Sequence, residues 1–413
     1  MGDFELIVVG GGLASARAIR SYRESGGGGR IALISADPEL PYHRPPLSKR
    51  YLRGEAERQD TLVESPAFYD EQGVDVLLET EVARVEPRER AVELAGGARH
   101  RYRKLLLATG AAPRPLGAEG FGLDGVFTLR TLADSTAIRE AASGARDAAV
   151  VGSGFIGMEV AASLTQLELD VTLISRDVDL FASLGSPEVS EHLVELYRRR
   201  GVEVVLGERV RAFRGGSRLD TVELHAHEAV GAALAVVGIG VRPVTGFLQG
   251  SGIELDDGIV VDEHFASSVP GIWAAGDVAR FHDPLTGRLR RIEHWSNADY
   301  QGREVGKVLA GADGGYDTVA TFFTESFGLT LKVFGDTTRH DDRIARGSFE
   351  DADAIVFYLE GGRLAAAALT GQDEETEAAL KRLIRERAQP VEPAALADAS
   401  VSLDEAFAPL PAR

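Results

Sequence analysis

The chain has 413 residues, enough for two or three domains of ordinary size. Its 44% hydrophobic and 26% charged residues are typical of a folded globular protein and exclude disorder as the main state. The net charge of −19 argues against nucleic acid and anionic membranes as partners, and the absence of cysteine excludes disulfides, thiol nucleophiles and cysteine-ligated metal or iron–sulfur sites.

The N-terminal segment is typical neither of a signal peptide nor of a membrane span. Phe4 to Val9 is short, and no basic region precedes it. The longest apolar stretch, Ala232 to Val241, is too short to cross a bilayer and contains glycines. We therefore expect a cytoplasmic protein that makes no membrane contact.

The first 34 residues carry the pattern of a βαβ unit. Phe4 to Val9 predicts a strand buried on both faces, Ala14 to Tyr22 a helix, and Ile31 to Ile34 a second strand. Three glycines, residues 10–12, lie between the first strand and the helix, with Ser15 where a third spaced glycine is usual. Such a turn lets a pyrophosphate approach the backbone at a helix N-terminus, and it predicts a dinucleotide site.

The same pattern returns in the middle of the chain. Ala148 to Val151 predicts a strand, Phe155 to Leu167 a helix and Val171 to Ile174 a further strand. Gly152-Ser153-Gly154-Phe155-Ile156-Gly157 forms a complete GxGxxG turn between the first two. Two such units predict two bound dinucleotides, one per domain, with electron transfer between them.

The segments around the second unit predict crossovers and an appended domain. A strand at Leu105 to Ala108 precedes a Pro- and Gly-rich crossover, residues 111–125, and a strand at Ala233 to Val237 precedes a second crossover near Arg242-Pro243. From about residue 320 the chain predicts a small α+β domain, with strands at Thr330 to Val333, Ala354 to Tyr358 and Leu364 to Ala368 and a helix at Glu374 to Arg387.

The end of the second strand in the second unit bears on the choice of coenzyme. Ser175-Arg176 stands where a carboxylate would bind the ribose hydroxyls of NADH. A guanidinium there suits the 2′-phosphate of NADPH, so we predict NADPH. In the alternative, Arg176 is a solvated surface residue and Asp177 or Asp179 serves NADH.

Several motifs together carry a resemblance to a known family. They are Pro41 to Lys49 (PYHRPPLSK), Ala108 to Arg114, Val237 to Pro243, Ala274 to Ala279, and Glu293-His294-Trp295 with Ala298 and Gln301-Gly302. In these motifs the chain resembles the FAD-dependent ferredoxin reductases that serve cytochrome P450 and Rieske oxygenase systems, and it is similar to the apoptosis-inducing factor proteins, which share the fold. The resemblance runs from residue 4 to about residue 310.

The resemblance implies an α/β fold with two Rossmann-like dinucleotide-binding domains of the glutathione-reductase type and a small C-terminal α+β domain. The implied boundaries are residues 1–113 and 244–319 for a discontinuous FAD-binding domain, 114–243 for an NAD(P)H-binding domain and 320–413 for the C-terminal domain. No metal site is implied.

The resemblance also implies site residues, in addition to those that the two glycine turns predict. Those for FAD are Gly10, Gly12, Leu13, Ala14, Ser35, Asp37, Arg44, Lys49, Val82, Ala108, Thr109, Gly110, Arg130, Gly276, Asp277, Glu293, His294 and Trp295. Those for NADPH or NADH are Gly152, Gly154, Phe155, Ile156, Gly157, Glu159, Ser175, Arg176, Gly238, Ile239 and Gly240.

Three of these residues have specific implied roles. Lys49 and Glu159 are the expected catalytic pair near the flavin N5, where they orient the nicotinamide and stabilise negative charge on the reduced flavin. Asp277 is expected to accept hydrogen bonds from the ribityl hydroxyls, and its position after the apolar residues 272–275 predicts a strand-to-helix turn at a helix N-terminus.

Two positions depart from the family pattern. Ala36 stands where an acid often binds the adenosine ribose of FAD, which leaves this role to Asp37, Glu39 or water. At the start of the C-terminal domain, the family typically has an aromatic pair that includes tryptophan, followed by Ser-Asp-Gln. This chain has Phe322-Phe323 there, followed by other residues.

The function that the resemblance implies is transfer of hydride from NAD(P)H to FAD and of electrons from FAD to a ferredoxin-type protein. Stand-alone reduction of quinone, dye or oxygen is one alternative, and a nucleotide-sensing module of the apoptosis-factor type, with incidental turnover, is another. The expected assembly is a monomer or a homodimer.

An acidic ferredoxin needs a local basic patch on this acidic chain. Residues 198–200, the arginines at 288, 290 and 291, and a helix face with Lys381, Arg382, Arg385 and Arg387 are the candidates. We favour Arg290-Arg291, because it precedes the Trp295 segment.

Overall fold

The structure is a computed structural model that describes residues 2–407. Residue 1 of the predicted FAD-binding domain and residues 408–413 of the predicted C-terminal domain lie outside the described residues. The described chain forms two compact units. The first contains the residues up to Pro45, Glu57–Ala112 and Val241–Asp317, and the second contains Pro46–Ala56, Pro113–Gly240 and the residues from Thr318 onward.

The strands of the described chain are β1 (Gly2–Val9), β2 (Ile31–Ile34), β3 (Val74–Leu77), β4 (Val82–Glu86), β5 (Ala91–Leu94), β6 (Arg99–Leu107), β7 (Ala111–Pro113), β8 (Val126–Phe127), β9 (Asp147–Val151), β10 (Asp170–Ile174), β11 (Glu203–Val205), β12 (Val210–Gly215), β13 (Leu219–Leu224), β14 (Val230–Gly231), β15 (Leu234–Val237), β16 (Val241–Pro243), β17 (Ile259–Val261), β18 (Ile272–Ala274), β19 (Ala279–Asp283), β20 (Arg288–Arg290), β21 (Thr321–Ser326), β22 (Leu329–Gly335), β23 (Asp342–Ser348), β24 (Asp353–Glu360) and β25 (Arg363–Thr370).

The α-helices are α1 (Leu13–Glu24), α2 (Pro66–Glu71), α3 (Leu132–Ala142), α4 (Phe155–Gln166), α5 (Pro187–Arg199), α6 (Trp295–Ala310), α7 (Glu374–Arg385), α8 (Pro393–Ala397) and α9 (Leu403–Ala406). Short 3-10 helices lie at Pro45–Ser48, Arg58–Thr61, Pro87–Glu89, Ala182–Leu184 and Gly246–Leu248.

The first unit is built on a sheet whose strands follow the order β3-β2-β1-β6-β5-β4, with β18 also paired to β6. Strands β3, β2, β1, β6 and β18 run parallel, with Leu6 opposite Ile31 and Val9 opposite Leu107. Every residue of β2 is buried, as the continuous apolar run predicts. Helix α1 follows β1, as predicted, and extends slightly beyond the predicted bounds, Ala14 to Tyr22, at both ends.

Two glycines of α6 allow it to approach α1 closely in this unit. A Cβ atom added to Gly302 would lie 2.6 Å from the carbonyl oxygen of Ala14, and one added to Gly306 would lie 2.6 Å from that of Ala18. The two helices therefore meet backbone to backbone, and this contact holds α6 beside the helix of the first glycine turn.

The second unit contains a parallel sheet of the order β11-β10-β9-β15-β8. The antiparallel strands β12, β13 and β14 cover one part of it, and Phe213 and Val222 share a buried cluster with Val151 and Ile174. Strands β9 and β10 and helix α4 form the second βαβ unit that the sequence predicts.

The C-terminal part of the second unit is an antiparallel sheet of the order β21-β22-β25-β24-β23 with α7 packed against β22 and β25. The sequence predicts three of these strands and misses β21 and β23, whose mixed polar residues lack a clear apolar alternation. Helix α7 ends before the predicted Arg387, because Arg387 has a left-handed φ of 47°.

None of the helices between residues 2 and 407 has the length and apolar character required to cross a membrane.

Candidate functional site

The N-terminus of α1 is open, as a phosphate site requires. Its N-cap is Gly12, no side chain caps it, and its first turn has no acid. A Cβ atom at Gly12 would meet no atom within 4 Å, whereas at Gly10, which has φ 119°, it would lie 2.2 Å from the carbonyl oxygen of Ala108. Backbone N–H donors of the first turn are therefore available to an anion that approaches the glycine turn.

Buried polar atoms without partners lie beside this turn. Among the described residues, neither the hydroxyl of Ser15 nor the Nε2 atom of Gln301 has a hydrogen-bond partner. The Oε1 atom of Gln301 accepts a hydrogen bond of 2.8 Å from the backbone N–H of Gly276, and a Cβ atom at Gly276 would lie 3.2 Å from the side chain of Ala14. Buried donors without partners are expected where a bound polar ligand accepts their hydrogen bonds.

The predicted helix after Asp277 is wrong. After β18 a short turn, in which the N–H of Ala279 donates to the carbonyl of Gly276 at 2.9 Å, leads into β19, which pairs with β17 and β20. The next helix N-terminus along the chain is that of α6, capped by the side chain of His294. After this turn the backbone forms strand hydrogen bonds and no helix: the carbonyl of Val278 accepts the N–H of Ile259 at 2.8 Å. Asp277, next to Gly276, is only 9% exposed.

Trp295 is held by a histidine of the PYHRPPLSK motif. Its indole Nε1 donates to Nδ1 of His43 at 2.9 Å, and the ring centroids are 5.7 Å apart. Burial lowers the pKa of His43, and the nearby Arg17 adds to this. A neutral imidazole leaves Nδ1 free to accept, so the hydrogen bond fixes the orientation of the indole.

The end of β2 carries the two acids that the sequence leaves open for the adenosine ribose. The Asp37 carboxylate accepts the hydroxyl of Tyr42 at 2.8 Å and the N–H of Glu39 at 3.0 Å. The Glu39 carboxylate accepts the guanidinium Nε of Arg58 at 2.6 Å. The Ser35 hydroxyl accepts the N–H of Asp37 at 3.1 Å.

The other residues predicted to bind FAD lie in both units. The first unit contains Arg44, Val82, Ala108, Thr109, Gly110 and Glu293, and the second contains Lys49 and Arg130. Thr109 donates its hydroxyl to the Val244 carbonyl at 2.8 Å, and Val82 is a buried first residue of β4. The backbone N–H of Arg130 donates to Asp134 at 2.9 Å.

The second glycine turn has the same open helix N-terminus. Gly154 caps α4 without a side-chain hydrogen bond, and a Cβ atom there would meet no atom within 4 Å. A Cβ atom at Gly157 would lie 1.9 Å from the carbonyl oxygen of Gly152. Ile156 and Ile239 are exposed, at 39% and 37%. Helices α2, α3, α5, α6 and α7, in contrast, begin with capping side chains: Ser65, Thr131, Ser186, His294 and Asp373.

The remaining predicted residues of the coenzyme set lie around this turn. Gly238 donates its N–H to the carbonyl of Val151 at 2.8 Å, and the carbonyl of Gly240 accepts the N–H of Arg114 at 2.9 Å. Phe155 packs edge to face against Phe181, with 4.6 Å between ring centroids.

Ser175 and Arg176 follow β10 as predicted. The Ser175 hydroxyl is buried and lies 2.7 Å from that of Ser153 in the glycine turn. The Arg176 side chain is 75% exposed, with its Nε 3.5 Å from the Asp177 carboxylate. The guanidinium thus lies in solvent beside the strand end.

Glu208 is a buried acid beside this strand end that the sequence analysis misses. Its backbone N–H donates to the Ser175 carbonyl at 2.8 Å. Its carboxylate accepts the N–H groups of Arg209, Ala226 and His227 at 2.7, 3.0 and 2.9 Å, and His227 Nδ1 lies 2.6 Å away. The hydrogen bond from His227 and those from the backbone lower the pKa of Glu208 to about 2. No local sequence pattern predicts this cluster, since all its donors except Arg209 come from the segment between β13 and β14.

Lys49 and Glu159 form an ion pair within the second unit. Lys49 Nζ lies 2.9 Å from Glu159 Oε1, and both side chains are largely buried. Glu159 also accepts the hydroxyl of Ser48 at 2.5 Å and that of Thr324 at 3.0 Å. Neither hydroxyl is predicted from the sequence, although Ser48 adjoins Lys49 in its motif and Thr324 lies in the segment that departs from the family pattern.

The favoured basic docking patch, Arg290-Arg291, is wrong as an exposed positive surface. Arg290 pairs with Asp283 at 3.0 Å, and Arg291, only 7% exposed, pairs with Asp257 at 3.1 Å and with Glu293. The pairings with Asp283, at the end of β19, and Asp257, just before β17, form through the fold and are not evident from the sequence. In the other two candidates, Arg199 pairs with Glu195 and Arg382 with Asp404.

No group of three or more His, Asp or Glu side chains within residues 2–407 is arranged to hold a metal ion.

Comparison with known proteins identifies the family. The family described as "Pyridine nucleotide-disulphide oxidoreductase" matches residues 4–302, and that described as "Reductase C-terminal" matches residues 321–407. The chain belongs to the pyridine nucleotide-disulphide oxidoreductases. The predicted α/β fold with a C-terminal domain is thereby confirmed, and the altered Phe322-Phe323 segment lies within the second match.

Named relatives of this oxidoreductase match over nearly its whole length. It is 34% identical to putidaredoxin reductase of Pseudomonas putida over 98% of this chain and 96% of that one. It is also 34% identical to the ferredoxin–NAD(+) reductase component of an anthranilate dioxygenase system from Burkholderia cepacia, over 96% and 98% of the two chains. A solved structure, the covalent putidaredoxin reductase–putidaredoxin complex, matches with a TM-score of 0.93 and 33% identity over 98% of this chain and 97% of that chain.

Membership of the family implies FAD and NAD(P)H as cofactors. The residues present fit both groups. Two helices begin at glycine turns without a capping side chain or a first-turn acid, and the first turn also has buried donors without partners in the described chain.

Proposed function

We propose that this oxidoreductase transfers hydride from NAD(P)H to FAD and passes the electrons to a ferredoxin-type iron–sulfur protein of a P450 or Rieske oxygenase system. The observation that carries the proposal is the pair of open glycine-turn helices in a chain without cysteine. A dithiol centre is impossible in such a chain, so FAD is the redox group that links coenzyme and acceptor. The named relatives, which are reductases of ferredoxin-type proteins, support the choice of acceptor.

The first unit holds FAD. The backbone donors at the start of α1 bind its pyrophosphate, and the Asp277 carboxylate accepts its ribityl hydroxyls. When bound, FAD accepts a hydride and releases single electrons. Trp295, fixed through His43, gives the bound flavin a rigid apolar neighbour.

The second unit holds the coenzyme at the start of α4, between the exposed side chains of Ile156 and Ile239. Lys49 and Glu159 act as a pair: the carboxylate holds the Lys49 ammonium in place, and the ammonium would orient a bound nicotinamide and stabilise negative charge on a bound flavin. Neither residue is required to transfer a proton.

The acceptor is tested by cytochrome c reduction with the holoenzyme and NADPH. Added ferredoxin is expected to raise the rate several-fold, because electrons then pass through the iron–sulfur protein. Rates that no ferredoxin changes, together with rapid quinone or oxygen reduction, would contradict the proposal. Very slow flavin bleaching by both NADPH and NADH would instead indicate a nucleotide-sensing module.

NADPH is the proposed coenzyme. Support comes from the exposed guanidinium of Arg176 and from the hydroxyl of Ser175 where NADH-specific proteins have an acid. A 2′-phosphate beside Arg176 gains a charge-assisted hydrogen bond that NADH lacks.

Arg176→Glu is predicted to lower kcat/KM for NADPH by about tenfold or more while changing that for NADH less, because a carboxylate repels the phosphate. The matched control is Arg146→Glu: Arg146 is 85% exposed, also pairs with an aspartate, and precedes β9 at the opposite end of the strands. An unchanged NADPH-to-NADH ratio in Arg176→Glu contradicts the coenzyme assignment.

The three-domain division, with an FAD-binding domain of residues 1–113 and 244–319, stays part of the proposal, as do a cytoplasmic location and a monomeric or homodimeric state. Size-exclusion chromatography with light scattering measures the assembly.

A further inference from the structure

The Glu159 carboxylate is held by three side-chain donors inside the second unit. Oε1 receives Lys49 Nζ at 2.9 Å and the Thr324 hydroxyl at 3.0 Å, and Oε2 receives the Ser48 hydroxyl at 2.5 Å. Glu159, Thr324 and Ser48 are 5%, 4% and 0% exposed. Since burial removes water from the carboxylate, these donors replace its hydration.

The donors come from separate parts of the chain. Ser48 and Lys49 follow one another at the end of a 3-10 helix, where the Ser163 hydroxyl donates to the Ser48 carbonyl at 2.6 Å. Thr324 comes from β21, the first strand of the C-terminal sheet, which packs against α4. Thr324 lies opposite Leu331 of β22, so its backbone is fixed by the sheet.

Thr324 restrains the geometry of the Glu159 carboxylate, whereas Lys49 supplies the opposite charge. The ammonium of Lys49 supplies charge, but a single flexible side chain does not fix the rotation of a carboxylate. A hydroxyl on a strand, bonded to the same oxygen as the ammonium, restrains that oxygen in position and so restrains the ammonium too. Ser48 restrains the second oxygen.

We propose that Thr324 is a positioning residue for hydride transfer, through which the C-terminal sheet fixes the Glu159–Lys49 pair. The proposal rests on the proposed function, in which this pair acts beside the nicotinamide. Through Thr324, the C-terminal domain then contributes to the reduction of the flavin by coenzyme, in addition to any contribution to partner binding.

The test is stopped-flow reduction of the FAD-loaded enzyme by NADPH, which separates the limiting rate from the coenzyme dissociation constant. Thr324→Val removes the hydroxyl at nearly constant volume and is expected to lower the limiting rate about tenfold, with the dissociation constant unchanged. Thr324→Ser restores the hydroxyl and is expected to recover the rate to within about twofold of wild type.

Ser326→Ala is the matched control. Ser326 is buried on the same strand, two residues further on, and its hydroxyl makes no hydrogen bond to Glu159. This variant is expected to reduce at the wild-type rate. If Thr324→Val does not retain FAD, Thr324→Ala serves in its place.

Glu159→Gln separates failure of the inference from failure of the proposed function. If the flavin is reduced slowly in Glu159→Gln but at the wild-type rate in Thr324→Val, only the role of Thr324 is overturned. Wild-type reduction in Glu159→Gln overturns both that role and the assignment of the ion pair. An equal loss in Thr324→Val and Thr324→Ser also overturns the proposal, because the hydroxyl then does not explain the loss.

Discussion

Glu208 shows how one buried residue supports the strand end that carries Ser175 and Arg176. Its carboxylate joins the loop after β11 to the segment between β13 and β14, and its backbone N–H joins the same loop to Ser175. The anion is surrounded by N–H donors, so it stabilises the strand end that carries Arg176.

The depressed pKa of Glu208 predicts a pH-dependent contribution to stability. The pKa is 4.5 in the free residue and about 2 in the fold, so the contribution is complete above pH 4.5 and is lost as the pH falls towards 2. Glu208→Gln is therefore expected to lower Tm at pH 7, and the Tm difference from wild type is expected to shrink below about pH 4.5. Differential scanning fluorimetry from pH 8 to the lowest pH at which the fold persists measures both effects.

The control for this prediction is Glu195→Gln, which removes an exposed i,i+4 ion pair with Arg199 and is expected to change Tm little at any pH. A Tm difference for Glu208→Gln that stays constant down to pH 3 would contradict the assignment.

The positions of candidate site residues are predictable from the sequence where they depend on local structure. The glycines at 10, 12, 152, 154 and 157 follow from turn geometry and are found at open helix starts. The Lys49–Glu159 contact came from family resemblance, because 110 residues separate the two and no periodicity joins them. Thr324 and Glu208 were missed because their partners become neighbours only through tertiary structure.

At the scale of elements, strands buried on both faces were predictable and edge strands were not. Strands β1, β2, β9 and β10 are continuous apolar runs, and the structure has them within one or two residues of the predicted bounds. The turn at Asp277 was misassigned because the same apolar-strand-then-Gly-Asp pattern precedes either a helix or another strand. Only the pairing of β19 with β17 decides between them.

The contact of α1 with α6 predicts a sensitive helix position. Gly306→Ala is expected to destabilise the protein by about 1–3 kcal/mol, because the new methyl group would lie 2.6 Å from the Ala18 carbonyl oxygen and 2.7 Å from Ser21 Cβ. Separation of the helices also moves the N-terminus of α1, so FAD is expected to dissociate at lower urea concentration. Flavin fluorescence during urea titration measures this.

Gly96→Ala serves as the control, because a Cβ atom there meets no atom within 4 Å and its φ is not positive. Equal urea midpoints for the two variants would contradict the close contact of α1 and α6.

At the scale of the whole molecule, charge compensation shapes the encounter with a ferredoxin. The net charge is −19, and each candidate basic cluster contains arginines paired with carboxylates. An acidic ferredoxin therefore meets a repulsive long-range field, whatever short-range contacts it makes afterwards.

The rate of ferredoxin reduction is accordingly expected to rise with salt. Between about 0.01 M and about 0.1 M ionic strength the Debye length falls from about 30 Å to about 10 Å, which screens the repulsion. Steady-state kcat/KM for an acidic ferredoxin measures the effect, with an uncharged quinone as the control acceptor. A steep fall in kcat/KM with salt would instead show attraction by a basic surface.

The division of the chain into interleaved segments has a consequence for biosynthesis. The first unit needs its N-terminal strands, but β18 and α6, which complete it, are translated only after most of the second unit. The edge of β6 that pairs with β18 therefore stays uncovered in the nascent N-terminal sheet until Ile272–Ala274 has emerged from the ribosome. Truncated transcripts that stop before β18 should yield aggregation-prone products that depend on chaperones.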